Sequence, residues 1–325
     1  MTRRRLLTVG LAALAVLCTF TIGIITGVEI ARAPAAARTA AQQQPQEGWS
    51  PIPRELLQYR LRLRVRLPLE QPRGFAVGTD GTLFVCGDQS LVVVERSGAA
   101  RARFDLEGRP RCVAVGGEHT VYVGLEDHVV ALDTRSGAVT SWPDLGSQAI
   151  VTSIAVAGPN VYVGDAGNRM LLSFGRTGRL LCVVDRSFNL PSPFLDVSAG
   201  PDGTVWATNP GDHRVQKYSA DGRAEGSWGD ASAAIDGFIG CCNPVHLAVL
   251  PCGEVATSEK GVPRVKVYSP DGRLEAVVAG PQDFPPGTTT LSLATRKANG
   301  GEVLVLVPTE RAIRVYCHSE IAGDD

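Results

Sequence analysis

The chain has 325 residues, 44% of them hydrophobic but only 6% aromatic, with 20% charged residues and a formal net charge of -1. That balance excludes a general nucleic-acid binder, which needs an excess of Lys and Arg, and the aliphatic content excludes a disordered chain. The 36 Gly and 21 Pro come without a Gly-X-Y period, so they read as many turns between many short strands.

At the amino terminus, Arg3, Arg4 and Arg5 precede an uncharged run from Leu6 to Val28 that is long enough to span a bilayer as a helix. The cations hold that end inside, so the rest of the chain is expected on the extracytoplasmic side of a bacterial cytoplasmic membrane, single-pass, with residues 1–31 as a transmembrane signal anchor. A second reading stays open. Thr2-Arg3-Arg4-Arg5-Leu6-Leu7 resembles a twin-arginine export signal, and Ala31-Arg32-Ala33 is a candidate cleavage site. Residues 32–57, rich in Ala, Gln and Pro, read as a flexible linker.

From residue 58 onward the chain repeats. Six segments share an apolar strand, a turn, a second apolar strand with a polar loop, and a third strand. The second strands contain Leu83-Phe84-Val85, Val121-Tyr122-Val123, Val161-Tyr162-Val163, Val205-Trp206-Ala207, Val255-Ala256-Thr257 and Val303-Leu304-Val305, with centres 38 to 50 residues apart. Asp80-Gly81, Asp202-Gly203, Asp221-Gly222 and Asp271-Gly272 supply turn chemistry between strands. Units of this length are propeller blades, so residues 58–325 are expected to form an all-β, six-bladed β-propeller. Tyr59, Leu61, Leu63, Val65 and Leu67 alternate strictly with Arg60, Arg62, Arg64 and Arg66. This N-terminal strand would complete the last blade and close the ring, with the arginines on its solvated face.

Asp165-Ala166-Gly167-Asn168-Arg169-Met170-Leu171 and Asn209-Pro210-Gly211-Asp212-His213-Arg214-Val215-Gln216 resemble the loop and third strand of NHL repeats. Gly237-Phe238-Ile239-Gly240-Cys241-Cys242-Asn243-Pro244, followed by Ser258-Glu259-Lys260-Gly261, is similar to a group of exported bacterial NHL-type proteins with a Gly-Cys-Cys-Asn-Pro motif, a likeness that brings no reaction with it. The NHL resemblance implies the propeller architecture. Activities on such propellers range from protein interaction to lactonase-like hydrolysis and an amidating lyase.

Aligning the blades by their second strands puts Gly74, Cys112, Ser153, Asp196, His246 and Ser292 where the inner strands begin, on one face of the ring. A second ring on the same face holds Gly87, Leu125, Asp165, Asn209, Glu259 and Val307. Asp165, Asp196, Asn209, Cys241, Cys242, His246, Glu259, Lys260 and Arg264 are therefore the candidate ligand-binding residues, most of them in or beside the fifth blade. A long insertion, Glu225 to Gly240, approaches that blade. Three readings apply to Cys241 and Cys242: a reducible vicinal disulfide, a soft-metal site completed by Cys112 or His246, or buried thiols. Seven cysteines remain outside the anchor, an odd number that leaves at least one thiol unpaired.

A metal ion on Cys112, Cys241, Cys242 and His246 is the one cofactor that the residues suggest, and otherwise none is identified. The leading expectation is a membrane-tethered extracytoplasmic propeller that binds an unidentified protein or small ligand at its loop face. The alternative is a metal- or thiol-dependent enzyme or redox protein, lyase-like or lactonase-like, working from the mouth of blades four and five.

Overall fold

The computed structural model describes residues 51–298 and 301–319. The expected anchor and all but the end of the expected linker lie outside the described residues. Among the described residues, no helix is long and apolar enough to cross a membrane.

Six four-stranded antiparallel sheets make up the propeller. Blade 1 is β2 (Pro72–Val77), β3 (Leu83–Gly87), β4 (Ser90–Val94) and β5 (Ala100–Asp105). Blade 2 is β6 (Cys112–Val115), β7 (Thr120–Gly124), β8 (Val129–Asp133) and β9 (Val139–Ser141), and blade 3 is β10 (Val151–Ala157), β11 (Asn160–Asp165), β12 (Met170–Gly175) and β13 (Leu180–Asp185). Blade 4 comprises β14 (Val197–Ala199), β15 (Val205–Asn209), β16 (Arg214–Tyr218) and β17 (Ala224–Trp228). Blade 5 comprises β18 (His246–Val249), β19 (Val255–Ser258), β20 (Val265–Tyr268) and β21 (Leu274–Ala279). Blade 6 takes β22 (Ser292–Arg296), β23 (Glu302–Val307) and β24 (Ala312–His318) from the end of the chain and β1 (Tyr59–Arg66) from its beginning.

The closing strand is the one that the alternation predicts. β1 pairs antiparallel with β24 from Tyr59 opposite His318 to Arg66 opposite Ala312, with an irregularity between Leu61 and Leu63. Val65 turns into the core beside Val85, Val92, Leu304, Leu306 and Ile313, while Arg60, Arg62, Arg64 and Arg66 stay exposed. The structure differs from the sequence expectation at residues 51–57, the end of the expected linker. Arg54–Leu56 form a short 3-10 turn, and Ile52 lies so close to Gly280 that a Cβ there would sit 2.5 Å from its Cδ1.

The core is divided among six apolar clusters, one at each contact between adjacent blades. Tyrosines pin neighbouring blades: the Tyr122 hydroxyl of blade 2 donates to Arg176 O of blade 3 (3.1 Å), and Tyr162 of blade 3 donates to Ala220 O of blade 4 (2.8 Å). The Asp-Gly turns form as their chemistry dictates. Asp80 and Asp202 cap the amides of Thr82 and Thr204, and Gly81 and Gly203 take φ of 84° and 82°, a region that side chains disfavour.

The inner strands carry little bulk: Ala76, Ala114, Ala155, Ser198, Ala248 and Ala294 each follow the strand entrance by two residues. Six such strands surround an axial channel of about 280 Å³.

Because β1 supplies the fourth strand of blade 6 and, through Val65, packs in the interface with blade 1, Val65→Asp should open the ring. A buried, unpaired carboxylate there is expected to cost more than about 3 kcal/mol in urea unfolding. Arg64→Asp, on the exposed side of the same strand, should cost less than about 1 kcal/mol.

Candidate functional site

The channel opens on the loop face into a cavity of about 240 Å³ lined by Arg73, Arg111, Thr152, Phe194, His246 and Ser292, among others. Residues at the entrances of all six blades reach it, because each inner strand begins at this end. Asp196, on the channel wall just below, joins three blades. Its Oδ1 accepts from Ser153 Oγ of blade 3 (2.5 Å) and from Val197 N (3.0 Å). Its Oδ2 accepts from Leu247 N (3.0 Å) and meets His246 Nδ1 of blade 5 (3.1 Å). An ionised carboxylate only accepts, so the proton of a neutral His246 sits on Nδ1 and Nε2 is left as an acceptor. Phe194 packs edge-on against the imidazole, ring centroids 6.1 Å apart, and fixes its plane.

Other residues from the sequence reading lie in the loops and are satisfied there. Asp165 is fully buried, and its Oδ1 accepts from the amides of Ile150, Gly167 and Asn168 while Oδ2 accepts from Asn168 Nδ2. Gly167 allows this close approach, since a Cβ on it would meet Gln148 O at 1.8 Å. Asn209 accepts from Asn189 N (2.8 Å) and donates to Asp212 (3.1 Å). These side chains hold loops together and do not line the channel or its mouth.

Glu259 and Arg264 are fully buried and paired with each other, and Lys266 joins them. Arg264 Nε and Nη2 reach the Glu259 carboxylate at 2.9 and 2.8 Å, and Lys266 Nζ is 3.0 Å from Oε1. All three side chains have no exposed surface. The expected insertion at Glu225 to Gly240 explains why they are inside. Its first residues form the outer strand β17, and the remainder, within a loop that runs on from 229 to 245, folds over blade 5. Phe238 of this loop is fully buried beside Trp228 and Tyr268, and Gly237 O accepts from Lys266 Nζ at 2.6 Å. Lys266 Nζ also stands 4.7 Å from the centroid of Phe238, a cation-π contact. Burial pulls the Lys266 ammonium down to about 8, against the attraction of Glu259.

The two cysteines form a second cluster at the rim. Cys241 is exposed and Cys242 is 1% exposed, with their sulfurs 3.0 Å apart as thiols. Ser192 Oγ donates to Cys242 Sγ (3.3 Å), and Lys260 Nζ donates to Ser192 Oγ (2.8 Å) while lying 5.2 Å from the Phe194 centroid. Burial raises the Cys242 thiol, but hydrogen bonds from Cys241, Lys260 and Ser192 outweigh it and bring it below the ordinary cysteine range. Cys241 is raised, first because it shares a hydrogen bond with Cys242.

Cys112 lines the channel in blade 2, 8% exposed, and burial holds its thiol well above the usual value. The four candidate metal ligands therefore do not converge. His246 turns to Asp196, the cysteine pair turns to Ser192 and Lys260, and no group of three or more His, Cys, Asp or Glu side chains among the described residues is placed to hold a metal ion.

The sequence reading missed Ser192, Phe194, Arg73, Arg111 and Lys266. The signal for the first two was the second long loop, 186–196, with its Pro191-Ser192-Pro193-Phe194 run just before Asp196. Lys266 alternates with Val265 and Val267 and so reads as an outward residue until the insertion covers it.

Removing Glu259 would leave two buried cations facing each other. Glu259→Ala is expected to cost about 3–5 kcal/mol by urea unfolding, and Glu259→Leu combined with Arg264→Met and Lys266→Met should recover most of it. Folding lowers the Lys266 value, so from about pH 8 up to the ordinary lysine range the unfolded chain binds more protons, and this group's contribution to stability rises with pH. The gap in unfolding free energy between wild type and Lys266→Met should accordingly widen in favour of wild type between about pH 8 and about pH 10.

No protein-family model and no curated protein matches the sequence. Solved structures do share the architecture. A streptogramin B lyase superposes over 81% of this chain and 99% of its own with a TM-score of 0.57 at 12% identity. A virginiamycin B lyase from Staphylococcus aureus covers 77% of this chain and 82% of its own, TM-score 0.55, at 12% identity. A regucalcin from Agrobacterium tumefaciens, described as a calcium-binding protein, covers 78% of this chain and 93% of its own, TM-score 0.60, at 15% identity. At these identities the likeness is one of fold: the chain is an all-β six-bladed propeller with neighbours of lyase and regucalcin type.

Proposed function

We propose that the chain is an exported, membrane-tethered propeller of NHL type that binds a small anionic ligand at the mouth of its channel, with His246 as the proton acceptor. The observation that carries this reading is the Asp196 carboxylate. By holding His246 Nδ1, Ser153 Oγ and Leu247 N at once, it orients the imidazole across a blade boundary and leaves Nε2 without a partner among the described residues. Arg73 and Arg111 line the same cavity and favour a ligand with a carboxylate or similar anion. Arg111 also stands 3.6 Å from Glu126, whose side chain is 54% exposed, so solvent screens that pair and the guanidinium can still serve a ligand. The apolar run from Leu6 to Val28 supports the tether, and the recurring loops after β11 and β15 support the NHL label.

A calcium site of the kind named for the regucalcin is not supported by the same cavity. Asp196 is the one carboxylate among the residues lining the channel, and both its oxygens already accept hydrogen bonds, whereas Ca²⁺ asks for six to eight oxygens. A lyase-like enzyme is the second reading, favoured by the oriented imidazole. A fixed base beside two guanidinium groups is what abstraction of a proton next to a carboxylate requires: His246 Nε2 takes the proton, and Arg73 and Arg111 stabilise the negative charge left on the ligand.

Calorimetric titration of the full-length chain with a panel of small carboxylates and lactones tests both. At least one member should bind; Arg111→Ala should weaken it by about tenfold or more, as loss of a charged hydrogen bond does, and His246→Ala by about threefold to tenfold, as loss of a neutral one does. Equal affinity in wild type and both variants would overturn the mouth as the site. For the enzyme reading, deuterium from D₂O should enter the bound ligand in wild type and not in His246→Gln, and no incorporation in wild type would leave binding alone.

A further inference from the structure

The cysteine pair at the rim is not used by the reading above. Its two sulfurs differ in access and in surroundings. Cys241 is open to solvent on the loop 229–245, whereas Cys242 is buried against Ser192 with the Lys260 ammonium behind it. Charge-assisted donors of this kind stabilise a thiolate and make it a good leaving group. The loop that carries the pair is clamped on both sides. Ile239 N donates to Glu259 Oε2 (3.0 Å), and Asn243 Nδ2 donates to Ile239 O (2.6 Å) and to Lys260 O (3.1 Å). Asn243 Oδ1 accepts from Lys260 N at 2.8 Å, which fixes the backbone of the residue whose ammonium serves Cys242.

Of the readings that the sequence left open, simple burial does not fit an exposed Cys241, and a metal finds no third ligand here among the described residues. We propose that Cys241 and Cys242 form a thiol–disulfide exchange site, in which solvent-exposed Cys241 is the sulfur attacked or attacking and buried Cys242, held by Ser192 and Lys260, is the resolving and leaving thiolate. The oxidising partner is a low-molecular-weight disulfide. Cys241 passes its proton to the Cys242 thiolate across their shared hydrogen bond as its Sγ attacks one of the disulfide sulfurs; a Cys241 mixed disulfide forms, and the expelled thiolate takes that proton from Cys242. Cys242 thiolate, 3.0 Å away, then attacks Cys241 Sγ. The bond to the external sulfur breaks, and the second small thiolate leaves and takes a proton from solvent, replacing the one that Cys242 had already lost to solvent. Two protein thiols are oxidised by two electrons, and one small disulfide is reduced to two small thiols. In the reverse direction an external thiol attacks Cys241, and Cys242 leaves as a thiolate stabilised by Lys260 and Ser192.

The test uses the reduced full-length chain and bis(2-hydroxyethyl) disulfide, with acid quenching and mass analysis of the peptide that contains both residues. The expected product is a Cys241–Cys242 disulfide with two equivalents of mercaptoethanol released, formed about tenfold faster than any adduct on exposed Cys182 or Cys252. Cys242→Ser should stop at a mercaptoethanol adduct on Cys241. Lys260→Met should slow reduction of the Cys241–Cys242 bond by dithiothreitol about tenfold, as expected when a leaving thiolate loses its cation. A lasting adduct on Cys241 of the wild-type chain, or reaction at the pair no faster than at Cys182 and Cys252, would overturn the assignment whatever the variants do.

Discussion

Everything on the axis depends on the pairing of β1 with β24. Each apolar cluster is shared by two neighbouring blades, so blades 1 and 6 each leave a face uncovered unless the ring is complete. The one pairing that joins distant parts of the chain lies inside blade 6, whose outer strand β1 runs directly on into β2 of blade 1. It is made by residues 59–66 lying beside residues 312–318, and it brings Val65 against Val85 of blade 1 and Leu304 of blade 6. Without that strand, β24 would present an open edge and the inner strands would lose their common axis. The channel, its mouth and the meeting of Ser153, Asp196 and His246 from three blades all follow from a closed circumference. The pairing has high sequence separation, so in folding terms it is the contact with the largest loop-closure cost.

What was legible in the sequence was whatever is encoded locally. Period-two alternation in Tyr59–Arg66, Asp-Gly turns and an apolar triplet recurring every 38 to 50 residues each need only a few neighbouring residues, and they identify blades, strand order and closure. The ring of entrance positions was legible too, because it follows from register: Cys112, Ser153, Asp196, His246 and Ser292 all line the channel. Side-chain direction was not. Asp165 and Asn209 occupy equivalent places after the second strand, yet each turns into its own loop to satisfy backbone amides that would otherwise be buried without partners. Glu259, at the same place in blade 5, turns instead to two cations brought in from β20 and its approach. That choice depends on loop 229–245 folding over the blade, a non-local event with no periodic signature.

The contact between blades 4 and 5 has the smallest apolar cluster of the six, built from Trp206, Val215, Phe238, Leu247, Val249, Val255 and Tyr268. Polar and charged groups fill what aliphatic packing does not. On the channel side Asp196 of blade 4 reaches His246 and Leu247 N of blade 5, and deeper in, Lys266 and Arg264 meet Glu259 under Phe238. Such a seam has a cost in desolvation that hydrophobic contacts do not carry, which a fold tolerates where position matters more than stability. Arg264 Nη1 shows the cost directly, being buried with no hydrogen-bond partner in the structure.

That seam also sets where the rim cysteines stand. Loop 229–245 has one isolated bridge, Ala231 with Phe238, so strand pairing does little to hold it. Its position comes instead from Glu259, which receives Ile239 N, and from Lys266, which donates to Ile235 O and Gly237 O. Residues 241 and 242 follow immediately, and Asn243 ties them back to Ile239 and Lys260. Lys260 in turn reaches Ser192 and the face of Phe194, whose edge packs on His246. Cys242 and His246 are therefore joined by a run of direct contacts through Ser192, Lys260 and Phe194. The buried ion cluster fixes one end of this run, because Glu259 anchors the loop at Ile239, three residues before Cys242.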